Sequence, residues 1–250
     1  MIKEYTKQTI IICFLLQGIA LSSRAQEQQV WQRYYDKCRR EASIIDTLPS
    51  KLEKALHWSP TINKEQKEVI RYILWNMVYV EGGTANLGDN NNYLVDVASF
   101  FINRYEVSQD EWYVIMGENP SNQHRRNYPV DQVNWFNAQR FTKKLSQLSG
   151  LPFRLPFEAE WEYAARGGLK TKNFIYAGSN NAEQVAWFRE KYYNTYVSKE
   201  TGTKKPNELG LYDMSGNVYE WCMDWYDRKV PFTGNIAPVI SEKDTHKVLL

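Results

Sequence analysis

Two carboxylates flank a short polar run late in this sequence: Asp213 and Glu220, separated by Met214-Ser215-Gly216-Asn217-Val218-Tyr219. Asp, Ser, Gly and Asn favour a turn there, because Asp and Ser side chains bond nearby backbone N–H groups while Gly and Asn tolerate positive φ. If the chain folds back over that turn, Asp213 and Glu220 converge with the backbone carbonyls of Gly216 and Val218. Such an all-oxygen set suits Ca²⁺, a hard cation, and suits neither Zn²⁺ nor copper. A plainer role is open to the same residues, with Asp213 closing an Asx-turn and Glu220 pairing with a nearby Arg. Other chemistry is sparse. His57, His124 and His246 are scattered, no nucleophile has an evident base beside it, and no phosphate-binding glycine motif occurs. Glu158, Glu160 and Glu162 alternate at the start of a predicted helix, where the dipole favours acidic residues, so a structural role fits all three.

The elements that must position these groups belong to a chain of 250 residues, 43% hydrophobic and 14% aromatic, enough for one domain with a sizeable core. A net charge of +2 with no basic block gives no electrostatic signature for nucleic acid or an anionic membrane. Lys3 and Lys7 precede an apolar stretch from Thr9 to Ala20, and Ser23-Arg24-Ala25 supplies small residues at a cleavage site. Residues 1–25 therefore read as a signal peptide, with the mature chain exported to the periplasm or the exterior. That apolar stretch is too short for a transmembrane span. Cys38 and Cys222 would then remain, too far apart in sequence to argue for a disulfide.

Residues 26–76 read as a helical extension. Trp31, Tyr34, Tyr35, Cys38, Ala42 and Ile45 recur at helical spacing, and a second helix starts near Asn63 and carries Val69, Ile70, Ile73 and Leu74. From residue 77 to 250 the pattern is that of a mixed α+β domain. Met77–Glu81 and Thr84–Gly88 read as a hairpin joined at Gly82-Gly83, and Val95–Ile102 as one half-buried strand. Ser108 caps a helix over Glu111–Met116. Asn134 caps another over 135–149, with Phe136, Phe141, Leu145 and Leu148 on its apolar face, Arg140 and Lys144 on its basic face, and Gly150 at its end. A short helix follows over 157–166, closed by Gly167-Gly168.

The run Gly210-Leu211-Tyr212-Asp213-Met214-Ser215-Gly216-Asn217-Val218-Tyr219-Glu220-Trp221 resembles the signature of the formylglycine-generating enzyme, or sulfatase-modifying factor, family. Collinear blocks resemble it too: Met77 to Thr84, Tyr105 to Ser108, Val133 to Ala138, Arg154 to Gly168, Val185 to Phe188 and Lys205 to Gly210. The resemblance implies a loop-rich fold related to C-type lectins. It also implies a structural Ca²⁺ held by Asp213, the Gly216 and Val218 carbonyls, and Glu220. The family activity it implies is oxidation of a sulfatase Cys to formylglycine by O₂, at a copper-binding pair of Cys, which makes a sulfatase polypeptide the expected partner. Two departures matter. Cys222 is the one Cys in the resembling span, so the copper ligands and every catalytic residue are missing, and the sequence ends about where the family's Arg-Gly-Gly-Ser-Trp strand would begin. Tyr219 stands where the family carries a Trp, and Phe157 where it carries a Thr. The expectation is thus an exported, C-terminally incomplete family member without the activity. The alternative is a non-catalytic binding or envelope-assembly module on a lectin-like scaffold, with another envelope protein as its partner.

Overall fold

The computed structural model describes residues 8–9, 13–14, 55–88, 93–188, 197–225 and 247–249. The predicted first helix of the N-terminal extension lies outside them. The second is present as α1 (Lys64–Trp75), opened by a capping box in which Asn63 accepts from the Gln66 N–H and Gln66 reaches back to the Asn63 N–H. Its buried Ile70, Ile73 and Leu74 pack into the main core, so it belongs to the domain.

The predicted hairpin at Gly82-Gly83 does not form. Strand β3 (Met77–Val80) pairs antiparallel with β6 (Phe100–Asn103), and β4 (Gly83–Leu87) pairs antiparallel with β5 (Tyr93–Val97). The predicted single strand over 95–102 breaks at Ala98-Ser99 for the same reason. The chain leaves one sheet at Gly82 and re-enters it after Ser99, and the two crossings lie against each other. The Gly82 N–H donates to Ser99 Oγ at 2.9 Å, and a Cβ on Gly82 would meet the Val97 carbonyl oxygen and, at 2.6 Å, the Ser99 nitrogen. Close backbone approach, not a tight turn, explains the glycine.

Both predicted caps further along hold. Ser108 closes a capping box onto α2 (Gln109–Met116), and Asn134 caps α3 (Trp135–Ser149), which stops at Gly150 in the left-handed region. Phe136 departs from its predicted place: it is 69% exposed, and α3 buries Ala138, Phe141, Leu145 and Leu148 instead. The Trp112 ring of α2 stacks on Phe141 with centroids 5.0 Å apart, joining the two helices. Two short strands follow from the N-terminal segment. Gln8–Thr9 (β1) runs parallel to β8 (Tyr219–Trp225), and Cys13–Phe14 (β2) lies between β6 and β7 (Phe153–Arg154), antiparallel to both. Lys247–Leu249 (β9) covers the other side of β8.

The core has two parts. One gathers α1, α2 and α3 around Trp112 and Phe141; the other lies between strands β4–β6 and helix α4 (Glu158–Ala165), and it includes Leu211 and Met214. Those last two residues anchor the segment that carries Asp213 to the second core. No helix among the described residues is long and apolar enough to cross a membrane. A Gly82→Ala substitution should destabilise the domain by about 2 kcal/mol or more, because the new methyl group meets backbone atoms that cannot move aside. Denaturant midpoints of the two proteins measure this, and an unchanged midpoint would mean the two sheet crossings separate easily.

Candidate metal centre

The segment from Asn207 to Glu220 is held from several directions before it reaches its carboxylates. Asn207 donates through Nδ2 to the Ala164 and Ala165 carbonyls at the end of α4, and accepts through Oδ1 from the Leu209 and Leu211 N–H groups. The Tyr212 N–H donates to the Arg104 carbonyl. The turn then places Asp213 (φ 57°), Gly216 (φ 113°) and Asn217 (φ 61°) in the left-handed region, which only Gly and short polar residues adopt readily. Gly216 is also required by space, since a Cβ there would meet the Trp187 carbonyl oxygen. The Asn217 N–H donates to that same carbonyl at 2.8 Å, and Ser215 Oγ accepts from the Ala177 N–H.

Both predicted side-chain ligands are buried, Asp213 with 3% and Glu220 with 1% of its surface exposed. Each has one engaged oxygen and one bare oxygen. Asp213 Oδ2 accepts from the Gly202 N–H at 2.7 Å, and Glu220 Oε2 accepts from Trp161 Nε1–H of α4 at 2.7 Å. Asp213 Oδ1 and Glu220 Oε1 are buried without any hydrogen-bond partner. The engaged Asp213 oxygen takes a loop N–H from outside its own turn, and the engaged Glu220 oxygen meets an indole. A buried carboxylate oxygen without a partner loses its hydration and regains nothing, a cost a bound cation would offset.

A third carboxylate stands in the same pocket. Glu106, between β6 and α2, is 1% exposed and accepts from Asn217 Nδ2–H at 2.7 Å and from the Val218 N–H at 3.3 Å. Sequence reasoning missed it as a site residue, because its partners lie more than a hundred positions away. Electrostatics follow from the geometry. Burial pushes the Asp213 carboxyl up to about 6 despite the Gly202 hydrogen bond. Burial also pushes Glu220 up to about 8, with the Asp213 charge adding to it against the Trp161 hydrogen bond. Glu106 is raised well above the ordinary carboxylate value, first by burial and then by the Asp213 and Glu220 charges. Three acids in one low-dielectric pocket cannot all ionise without a compensating positive charge.

The bare side-chain oxygens here are those of carboxylates, which suit a hard cation such as Ca²⁺ and not a softer metal. Among the described residues no trio of His, Cys, Asp or Glu is disposed to hold a metal, so a site here must draw on backbone carbonyls as well as Asp213 and Glu220. Copper does not fit. Cys222 is free and fully buried on β8, and burial together with Asp224, Glu158, Glu220 and Glu160 pushes its thiol far up. A thiol so placed is neither a nucleophile nor a ready metal ligand. The three predicted structural acids of α4 behave as such where their contacts are defined: Glu160 forms a bidentate pair with Arg154 and accepts the Phe157 N–H, and Glu162 pairs with Arg166 and takes the Gly88 N–H. Phe157, in the cap position, offers no side-chain acceptor.

A profile of the sulfatase-modifying factor enzyme 1-like domain matches residues 64–245. The chaperone protein LppX of Paenibacillus barcinonensis is 35% identical over 204 residues, covering 60% of this chain and 72% of that protein. The formylglycine-generating enzyme of Streptomyces coelicolor is 35% identical over 112 residues, 41% of this chain and 34% of the enzyme. A serine/threonine-protein kinase, pkn1 of Chlamydia pneumoniae, is 30% identical over 62% of this chain and 28% of its own length. The chain thus spans about a third or less of those last two relatives. Among solved structures, CarF superposes with a TM-score of 0.51 at 27% identity, over 62% of this chain and 82% of that one.

The raised carboxyls set the sign of a pH dependence. Unfolded, Asp213 and Glu220 lose their protons near their ordinary values of 3.8 and 4.5; folded, they keep them to about 6 and about 8. Between those limits the folded state binds more protons, so stability falls as pH rises. The protein in a chelating buffer should therefore melt at a lower temperature at pH 8.5 than at pH 5.5. A scan of melting temperature against pH that is flat or rises across that window would show the acids to be compensated by a group other than a metal.

Proposed function

We propose, from the premise that this chain belongs to the sulfatase-modifying factor enzyme 1-like family, that its domain is a calcium-braced, non-catalytic binding scaffold. One observation carries the reading: the single cysteine of the matched span, Cys222, is sealed inside the fold with its thiol held protonated. The oxidation that the family resemblance implies needs a pair of thiolates exposed to copper and substrate. Soft thiolates select Cu(I), and oxygen ligands do not replace them. The similarity to LppX, a protein named as a chaperone and matched over most of its length, supports a binding role.

Calcium has a scaffold role in this reading. Asp213, the carbonyls of Gly216 and Val218, and Glu220 would hold the ion, which neutralises the buried acids and locks the turn between the second core and β8. The partner is an exported polypeptide, a sulfatase or another envelope protein, met in the periplasm or outside the cell. The leader-like residues 1–25 support export, and mass measurement of the mature N-terminus after expression with a secretion pathway tests it.

Co-expression with a sulfatase that carries the Cys-type motif tests the catalytic half. The peptide spanning that motif should retain an unmodified Cys by mass spectrometry, and appreciable formylglycine would overturn the reading. Calcium tests the other half. Adding millimolar Ca²⁺ after chelation should raise the melting temperature by roughly 5 °C or more if the ion is present at about a hundred times its dissociation constant. Asp213→Asn and Glu220→Gln should each abolish most of that rise.

A further inference from the structure

We infer that Glu106 is the positioning residue of the cation site: it does not hold the ion but clamps the turn that does. The inference rests on the calcium reading of Asp213 and Glu220. It starts from an asymmetry among the three buried acids. Asp213 and Glu220 each leave one oxygen bare, whereas both Glu106 oxygens are occupied, Oε2 by Asn217 Nδ2–H and Oε1 by the Val218 N–H. Glu106 therefore has no oxygen left over for a metal in the way its two neighbours have.

What it grips is the stretch between the two carbonyl donors. Asn217 separates Gly216 from Val218 and sits in the left-handed region. Its N–H is held by the Trp187 carbonyl, and since a trans peptide points its C=O opposite its N–H, the Gly216 carbonyl is turned away from Trp187. Glu106 fixes the next peptide through the Val218 N–H. The Asn217 amide cannot rotate to suit another partner: its Oδ1 accepts from the Lys199 N–H at 2.8 Å, and its Nδ2 also donates to the Lys199 carbonyl at 3.2 Å. The NH₂ group must face Glu106. A glutamine at 106 would present one NH₂ to two donors and lose one of the two bonds whichever way it turned.

Losing one of the two Glu106 bonds would free the peptide that separates the Gly216 and Val218 carbonyls. Replacing Glu106 by an amide should therefore weaken ion binding more than it weakens the ion-free fold, two quantities that a purely structural residue would move together.

The test uses the full chain as wild type, Glu106→Gln and Glu106→Asp, with calorimetric titration of CaCl₂ after chelation and melting in chelator and in Ca²⁺. Glu106→Gln should bind Ca²⁺ at least tenfold more weakly and lose more melting temperature in Ca²⁺ than in chelator. Glu106→Asp keeps the charge but is one methylene short of spanning both donors, and should weaken binding by a smaller factor. If Glu106→Gln titrates like the wild type, or loses the same stability in chelator and in Ca²⁺, the clamp is overturned while the calcium reading stands. If the wild type itself takes up no Ca²⁺ at millimolar concentration, the calcium reading fails and the clamp with it. Should Glu106→Gln not fold, Glu106→Asp decides between the same outcomes.

Discussion

Three carboxylates buried in one pocket, Glu106, Asp213 and Glu220, are the constraint that organises this structure. Burying one ionised carboxylate is costly, and burying three side by side is sustainable only with protons or a cation between them. The surrounding elements read as the means of holding that arrangement. Helix α4 sends Trp161 to Glu220 and offers its last carbonyls to Asn207; the 197–203 loop supplies the Gly202 N–H to Asp213; and the end of β6 delivers Glu106 across the chain. Little of this is regular secondary structure. Side-chain hydrogen bonds to backbone replace sheet ladders, and the left-handed residues of the turn are tolerated because so many bonds over-determine it.

The same constraint disarms the one thiol nearby. Residues two apart on a strand share a face, so Glu220 and Cys222 both point inward from β8. The acids Asp224, Glu158, Glu220 and Glu160 oppose a thiolate there, after burial has already done so. Further along, β8 is fixed to the start of α3 by two indoles, Trp135 donating to the Cys222 carbonyl and Trp221 to the Val133 carbonyl. An environment that draws in a hard cation is one that a thiolate avoids. Buried acids on this strand and beside it thus leave Cys222 a protonated, unreactive thiol.

Local signals were legible in the sequence and distant ones were not. Asn63, Ser108 and Asn134 announced helix starts because a cap acts within three residues, and Gly150 announced a stop for the same reason. The turn between Asp213 and Glu220 was legible because its signals, Asp, Ser, Gly and Asn, act within a few residues. Strand pairing was misread at Gly82-Gly83, where a glycine needed for close approach to Val97 and Ser99 looks the same in sequence as one needed for a turn. Phe136 was misplaced because an apolar residue in the first turn of a helix matches its period without having to meet the core. Glu106 lay in a block that resembles the family but carried no local sign of a site role, since nothing nearby in sequence distinguishes a carboxylate that will close onto Asn217 from one that will face water.

Residues 1–25 carry two physical descriptions that make opposite demands. As a leader they would be cut away; their described residues 8–9 and 13–14, as strands β1 and β2, fill places in two sheets, with β2 an interior strand between β6 and β7. Their removal would leave β6 paired through all four residues with β3 and open along its other side. It would not release β7, which is held independently by Ser146 Oγ at Phe153 and by the Arg154–Glu160 ion pair. Nor would it dissolve the carboxylate pocket. The side-chain bonds described for Glu106, Asp213 and Glu220 come from residues 106 to 220, and β1 pairs with that region along the backbone at Tyr219 and Glu220. Were the leader removed, the cost would fall on a sheet edge, where unpaired N–H and C=O groups invite another strand, while the Asp213–Glu220 turn would keep the side-chain bonds described for it.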